Sequence, residues 1–292
     1  MISKIIVPLD GSQLAEVALP YAEENAGRLN AEMILLIVRQ PNDTRSQYML
    51  ECYLDKLADI AKNGVAKYKD PGAKPVILST KVLSGDPAEE IVSFAEREDG
   101  SKIVMATHGQ SGLTRWAIGS VADKVIRTTN RPVSIIRAQG GKPAVHEKGY
   151  LGKILAPVDG SKASEAILPY LEEFAAAMKA EVTFLYSLEM DANSVFNLTS
   201  LAEVKDFKNK MKDYMEKLTN SFRQKGIKAN YEIIKGSADI AGEINRYTKE
   251  HYMDTMVMAT HGRSGPRRWV LGSVTMKVLV EGNTPLTLIR SV

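Results

Sequence analysis

Cysteine is almost absent, since Cys52 is the only one in 292 residues. An internal disulfide and a cysteine-ligated zinc cluster are thereby excluded, and a reducing compartment, the cytoplasm, is the expectation. Charge of one sign is lacking too. Lysine and arginine number 38 against 35 aspartates and glutamates, for a formal net charge of +3. Such a balance does not predict nucleic-acid affinity built on phosphate neutralisation. No apolar run approaches the ~20 residues that span a bilayer. The start, Met1-Ile2-Ser3-Lys4-Ile5-Ile6-Val7-Pro8, has no basic segment leading into a long apolar one, so no signal peptide is expected. Several signatures of catalysis are also missing. There is no Gly-x-x-x-x-Gly-Lys-Ser/Thr, no Gly-x-Gly-x-x-Gly after a strand and no His-Glu-x-x-His, which points to binding rather than turnover.

What the sequence does contain is itself, twice. Lys4-Ile-Ile-Val-Pro-Leu-Asp10-Gly-Ser12 returns as Lys153-Ile-Leu-Ala-Pro-Val-Asp159-Gly-Ser161. Val104-Met-Ala-Thr-His-Gly-Gln-Ser-Gly112 returns as Val257-Met-Ala-Thr-His-Gly-Arg-Ser-Gly265. Order and spacing are kept, so a whole domain is duplicated rather than a short solenoid unit. The polar, glycine-containing stretch 139–149 reads as a linker between domains at 1–138 and 150–292.

Within the first copy, apolar runs of strand length fall at 4–9, 32–38, 75–83, 102–106 and 132–137. Helical patterns fall between them at 12–28, 44–69, 87–98 and 120–129. Asp86, Pro87 and Glu89 form a strong helix start. In the second copy Leu198, Leu201, Val204, Phe207, Met211, Tyr214, Leu218 and Phe222 trace one face of a long helix. Pro20 and Pro169 fall inside the first helix of each copy and predict a kink. Alternation of strand and helix predicts a duplicated α/β fold, each domain a doubly wound, Rossmann-like, five-stranded parallel sheet. The candidate orders are 2-1-3-4-5 and 3-2-1-4-5. A ligand is expected where strands one and four diverge, which corresponds to 3-2-1-4-5.

Those two strand ends are chemically distinctive. Strand one closes on Pro8, Leu9 and Asp10, and strand four on Met105, Ala106, Thr107, His108 and Gly109. A loop then runs to Gly119, Ser120 and Val121, where a helix opens. The second copy repeats this with Pro157, Val158 and Asp159, with Met258, Ala259, His261 and Gly262, and with Gly272, Ser273 and Val274. Glycines let backbone amides approach a ligand, and a helix N-terminus offers unpaired N–H groups with partial positive charge, so an anion suits the place. A plain tight connection, with Ser120 and Ser273 as helix N-caps, fits the same residues. Asp10 and Asp159 likewise read either as ligand contacts or as caps. His108 and His261 lack a visible nucleophile or carboxylate partner, which favours a loop-ordering hydrogen bond over a general base.

With these residues in view, the chain resembles the universal stress protein family. Nucleotide-binding members of that family show Gly, two residues, Gly, nine residues, then Gly-Ser or Gly-Thr. Here the pattern is Ala106, Gly109, Gly119-Ser120, and again Ala259, Gly262, Gly272-Ser273; alanine replaces the first glycine in both copies. The resemblance covers about 1–138 and 150–292. It implies an adenine nucleotide, ATP or AMP, in each copy, with Mg2+ bridging its phosphates. Pro8 and Pro157 would lie beside the base, Asp10 and Asp159 would face ribose or phosphates, and Val38 and Ser187 would offer backbone groups to adenine. Ala106, Gly109, Gly119 and Ser120, and their counterparts Ala259, Gly262, Gly272 and Ser273, would cradle phosphates. The resemblance further implies a regulatory role in stress resistance, with at most weak ATP hydrolysis. It also implies pairing of the last strands, Pro132–Arg137 with Pro285–Arg290, into an internal pseudo-dimer, with further homodimerisation or protein partners open. An interaction scaffold that no longer holds nucleotide is the alternative. Arg263, Arg267 and Arg268, against Arg115 alone, predict tighter phosphate binding in the second copy.

Overall fold

The computed structural model describes residues 1–107, 118–137, 149–188, 201–235, 238–262 and 271–291, with side chains from 205 onward in the segment that starts at 201. The chain forms two compact units. One comprises Met1–Leu151 with Pro285–Arg290, the other Gly152–Thr284 with Ser291–Val292.

In unit 1 the elements follow as β1 (Lys4–Leu9), α1 (Gln13–Glu16), α2 (Leu19–Leu29), β2 (Glu32–Arg39), α3 (Gln47–Tyr68), β3 (Leu78–Ser84), α4 (Pro87–Arg97), β4 (Ser101–Ala106), α5 (Ser120–Thr128) and β5 (Val133–Ile136). The sheet order is β3-β2-β1-β4-β5, and these neighbours run parallel. A parallel sheet covered by helices buries both faces of its strands. Accordingly Ile5, Ile6 and Val7 of β1 and Met33, Leu35, Leu36 and Ile37 of β2 are fully buried. Full burial of such a side chain contributes roughly 1.5–3 kcal/mol, so these two strands are the hydrophobic anchor of the unit. The last strand of the chain, β10 (Leu286–Ile289), also belongs here. It lies antiparallel to β5, with Leu286 opposite Ile135 and Leu288 opposite Val133. The buried hydroxyls of Ser134 and Thr287 share a 2.7 Å hydrogen bond.

Unit 2 repeats the plan with β6 (Lys153–Pro157), α6 (Lys162–Glu165), α7 (Leu168–Met178), β7 (Glu181–Leu188), α8 (Leu201–Gln224), β8 (Ala229–Lys235), α9 (Ile240–Glu250), β9 (Thr255–Ala259) and α10 (Ser273–Glu281). Its strand order β8-β7-β6-β9 corresponds to 3-2-1-4. The apolar stripe of α8 turns inward as its spacing predicts, with Leu218 and Phe222 buried beside Met215, and Phe222 meets Phe184 edge-on at 5.0 Å. Leu198 lies outside the described residues, and Leu201 and Val204 lie where side chains are not described.

Two expectations are corrected. The first helix of each copy does not kink at its proline but stops and restarts. The α1/α2 break falls at 17–18 and the α6/α7 break at 166–167, which puts Pro20 and Pro169 in the first turn of the second helix. Proline has no N–H to donate and its ring clashes with the carbonyl four residues back, and both penalties vanish in a first turn. The third strand, expected at 75–83, begins only at Leu78, where Met33 starts the pairing. Pro75 has no N–H for a ladder. Among the described residues no helix is long and apolar enough to cross a membrane.

Candidate functional site

Each unit has a cavity at the carboxyl ends of its first and fourth strands. In unit 1 it measures about 640 Å3 and is lined by Pro8, Leu9 and Asp10 from β1, Val38 from β2, Met105 and Ala106 from β4, and Gly119, Ser120 and Val121 where α5 opens. The structure thus brings together every described residue that the sequence nominated there. His108, Gly109, Gly112 and Arg115 lie outside the described residues. In unit 2 the cavity is about 290 Å3. Pro157, Val158, Asp159, Ser187, Met258, Ala259, His261, Gly262, Gly272, Ser273 and Val274 all line it. Gly265, Arg263, Arg267 and Arg268 lie outside the described residues.

The helix openings decide between two readings of the serines. The N-cap of α5 is Gly119 and that of α10 is Gly272, and neither helix has a side-chain cap. Ser120 and Ser273 are therefore first-turn residues, not caps. The chain enters at an angle set by Gly119 N–H donating to Thr107 O (2.8 Å) and Gly272 N–H donating to Thr260 O (2.9 Å). With those two caps fixed, the first-turn amides have no acceptor inside the helix.

The aspartates also differ from the capping reading. Ser12 and Ser161 are the N-caps of α1 and α6. Asp10 Oδ1 accepts from Ser12 N–H at 2.9 Å and from the Ser12 hydroxyl at 2.6 Å, and Asp159 Oδ1 accepts from Ser161 N–H at 2.9 Å. The carboxylates hold the caps and stand at the cavity wall. Gly11 at φ +87° and Gly160 at φ +79° make that turn possible, a region that favours glycine. In unit 2 a Cβ added at Gly262 would run into the Asp159 carboxylate.

His261 is nine-tenths buried. Its Nδ1 lies 3.1 Å from Thr260 Oγ1 and 3.4 Å from Ser291 Oγ, whereas its buried Nε2 has no hydrogen-bond partner among the described residues. Among the described residues hydroxyls orient the ring, an arrangement that fits the loop-ordering hydrogen bond. Thr275 Oγ1 donates to the Ala259 carbonyl at 3.1 Å and pins α10 to the end of β9. Ser187 donates to Glu243 at 3.3 Å.

Sequence reasoning passed over one group. Gln40, Asn42, Asp43, Thr44 and Arg45, between β2 and α3, also line the unit 1 cavity. Arg45 pairs with Asp43 through Nη2 at 2.6 Å and donates from Nη1 to the Asp10 carbonyl at 2.7 Å. Hydrogen bonds from the Arg45 guanidinium and backbone hold the Asp43 carboxyl down to about 2. The signal was the run of polar residues directly after the second strand. Among the described residues no group of three or more His, Cys, Asp or Glu is placed to hold a metal ion.

The profile of the Universal stress protein family matches residues 1–137 and 151–290. Universal stress protein MJ0531 of Methanocaldococcus jannaschii is 32% identical over 138 residues, 46% of this chain and 81% of that protein. Universal stress protein Slr1230 of Synechocystis sp. is 23% identical over an alignment covering 98% of this chain and 99% of that protein. A crystal structure of a universal stress protein from Archaeoglobus fulgidus shares the fold, with a TM-score of 0.67 at 16% identity over 99% of this chain and 96% of that one. Two matched copies and one cavity of the same construction in each unit lead to one statement: the chain belongs to the universal stress protein family, with two of its domains in tandem.

Proposed function

We propose that each unit binds an adenine nucleotide, ATP or AMP, across its strand ends, and that the chain acts as a cytoplasmic regulatory factor in stress resistance rather than as an ATP-consuming enzyme. One observation carries this reading. In both units the cavity faces the opening of a nine-residue helix whose first-turn serine hydroxyl is not spent on the cap. Such an opening suits an anion. The nucleoside would lie over Pro8 or Pro157, with the end of the second strand, Val38 or Ser187, beside the base. Asp10 and Asp159 would take ribose hydroxyls or share Mg2+ with the phosphates. Ala106 and Ala259, buried at the strand ends, would place a methyl group against the phosphate chain. Occupancy would favour one conformation of the unit, and so shift a surface read by partner proteins.

The test is to denature purified protein and identify any released nucleotide, then to titrate the emptied protein with ATP and AMP. Ligand at 100 times its dissociation constant should stabilise a unit by about 2.7 kcal/mol. Protein that carries no nucleotide and does not shift in Tm with either ligand would leave the fold as an interaction scaffold and end this reading.

A further inference from the structure

Arg45 is the best-held cation of the unit 1 cavity. The Asp43 carboxylate grips its Nε and Nη2, while Nη1 donates to the Asp10 carbonyl. A guanidinium carries its five N–H donors in one plane. One N–H on each Nη nitrogen is therefore left without a protein acceptor among the described residues, on a plane that three hydrogen-bonding contacts keep still.

An arginine in a nucleotide cavity invites a contact with phosphate. Two observations oppose that here. The first is topological. β1 lies between β2 and β4; the α5 opening that suits phosphates follows β4, whereas Arg45 follows β2. A ligand with its phosphates at Ser120 meets Arg45 with its other end. The second is charge. The Asp43 carboxylate already neutralises the guanidinium through Nε and Nη2, which leaves it little net charge to offer a phosphate.

We infer that Arg45 is a specificity-determining residue for the nucleoside moiety. Its fixed, flat guanidinium is a surface on which a base stacks, and its spare N–H groups take acceptor atoms of base or ribose. The inference rests on the nucleotide reading above and adds which end of the ligand this residue recognises. Unit 2 has no counterpart from the same connection, because residues 189–200 contain neither lysine nor arginine.

The test uses the full chain with Ser187→Trp, which fills the smaller cavity, titrated calorimetrically with adenosine, AMP and ATP. Arg45→Gln should weaken all three by one common factor of about tenfold. Arg45→Lys, which keeps the charge and loses the plane, should weaken them as much, and Asp43→Asn somewhat less. Should Ser187→Trp fail to fold, a fit to two binding classes on the chain with both cavities open gives the same comparison. The inference is overturned if adenosine binding is untouched while ATP binding falls, if lysine restores affinity, or if Arg45→Gln changes nothing. Absence of all binding by the unsubstituted chain would remove the nucleotide reading and this inference together, whereas binding indifferent to Arg45 removes the inference alone.

Discussion

The two cavities occupy the same place in the same fold and are walled differently. In unit 1 the wall on the β2 side is an ion pair, Asp43 with Arg45, docked on the carbonyl of Asp10. In unit 2 the side chains fasten the wall to itself: Thr275 holds the Ala259 carbonyl and Ser187 reaches Glu243. Unit 1 has Ala122 and Val38 at the matching positions, which can make neither bond. The difference extends beneath the sites. Lys102, fully buried on β4, donates to Asn25 Oδ1 at 2.7 Å, where unit 2 has Thr255 and Phe174. Glu23 is half-buried on α2, while its counterpart Glu172 pairs with Lys225 at the surface. Duplication has kept what the backbone supplies, the glycine-capped helix opening and the strand-end aspartate. It has let the side chains around that device diverge.

The largest effect should come from breaking cavity 2 alone. Gly262→Val would force the Asp159 carboxylate aside, and nucleotide affinity there should fall by ~100-fold or more, equivalent to ~2.7 kcal/mol. Calorimetric stoichiometry should drop by one site per chain, and an unchanged stoichiometry would contradict the assignment of that wall.

The next effect sharpens the contrast in the cores. Burial lowers the Lys102 ammonium well below its ordinary value. Between that lowered value and 10.5 the unfolded chain binds more protons, so this group makes stability rise with pH across the window. Replacing both partners, Lys102→Met with Asn25→Leu, should stabilise unit 1 by ~1–3 kcal/mol at pH 7. That gain should shrink toward pH 10.5. Urea unfolding at pH 7 and pH 10 measures it, and a gain independent of pH would disprove the linkage.

Glu23 gives the opposite sign. Burial raises its carboxyl from 4.5 to about 7, so the folded chain binds more protons between those values and stability declines as pH rises through them. Glu23→Gln should flatten that decline and, discounted for its partial exposure, add about 1–2 kcal/mol at pH 8. Glu172→Gln should not reproduce the effect in unit 2; if it does, the two positions are not distinct in the way their surroundings indicate.

The smallest effect concerns the fastening of α10. Thr275→Ala removes its bond to the Ala259 carbonyl and should cost about 1 kcal/mol, read from denaturant midpoints. The reciprocal Ala122→Thr should recover part of that in unit 1. A neutral Thr275→Ala would show that the helix opening is held by its backbone alone.

Much of the fold could be read from the residues because its signals are local and repeated. Continuous apolar runs such as Ile5-Ile6-Val7 mark strands buried on both faces, and Asp86-Pro87 with Glu89 marks the start of α4, where Asp86 does accept from Glu89 N–H. The strand-end aspartates and the glycines ahead of α5 and α10 were legible for the same reason, since backbone turns demand particular residue types. Arg45 was not. Nothing in Gln40-Pro-Asn-Asp-Thr-Arg45 says which way a connection folds, and its grip on Asp10 spans 35 positions. Ser120 and Ser273 could be read from the sequence either as caps or as phosphate contacts, because Gly-Ser before a helix allows either residue to cap. The choice falls to the bond from the glycine N–H back to the end of the fourth strand, which is made across the loop.

By itself the sequence determined the duplication, the alternation of strand and helix, and the family, because hydrophobic periodicity and turn chemistry act over a few residues at a time. Only the tertiary structure decided which polar side chains meet. Arg45 with Asp10, Lys102 with Asn25 and His261 with Ser291 are each partners distant in sequence, brought within hydrogen-bond reach by the sheet order and, for the buried Lys102 and His261, by burial that leaves a polar group no water to turn to.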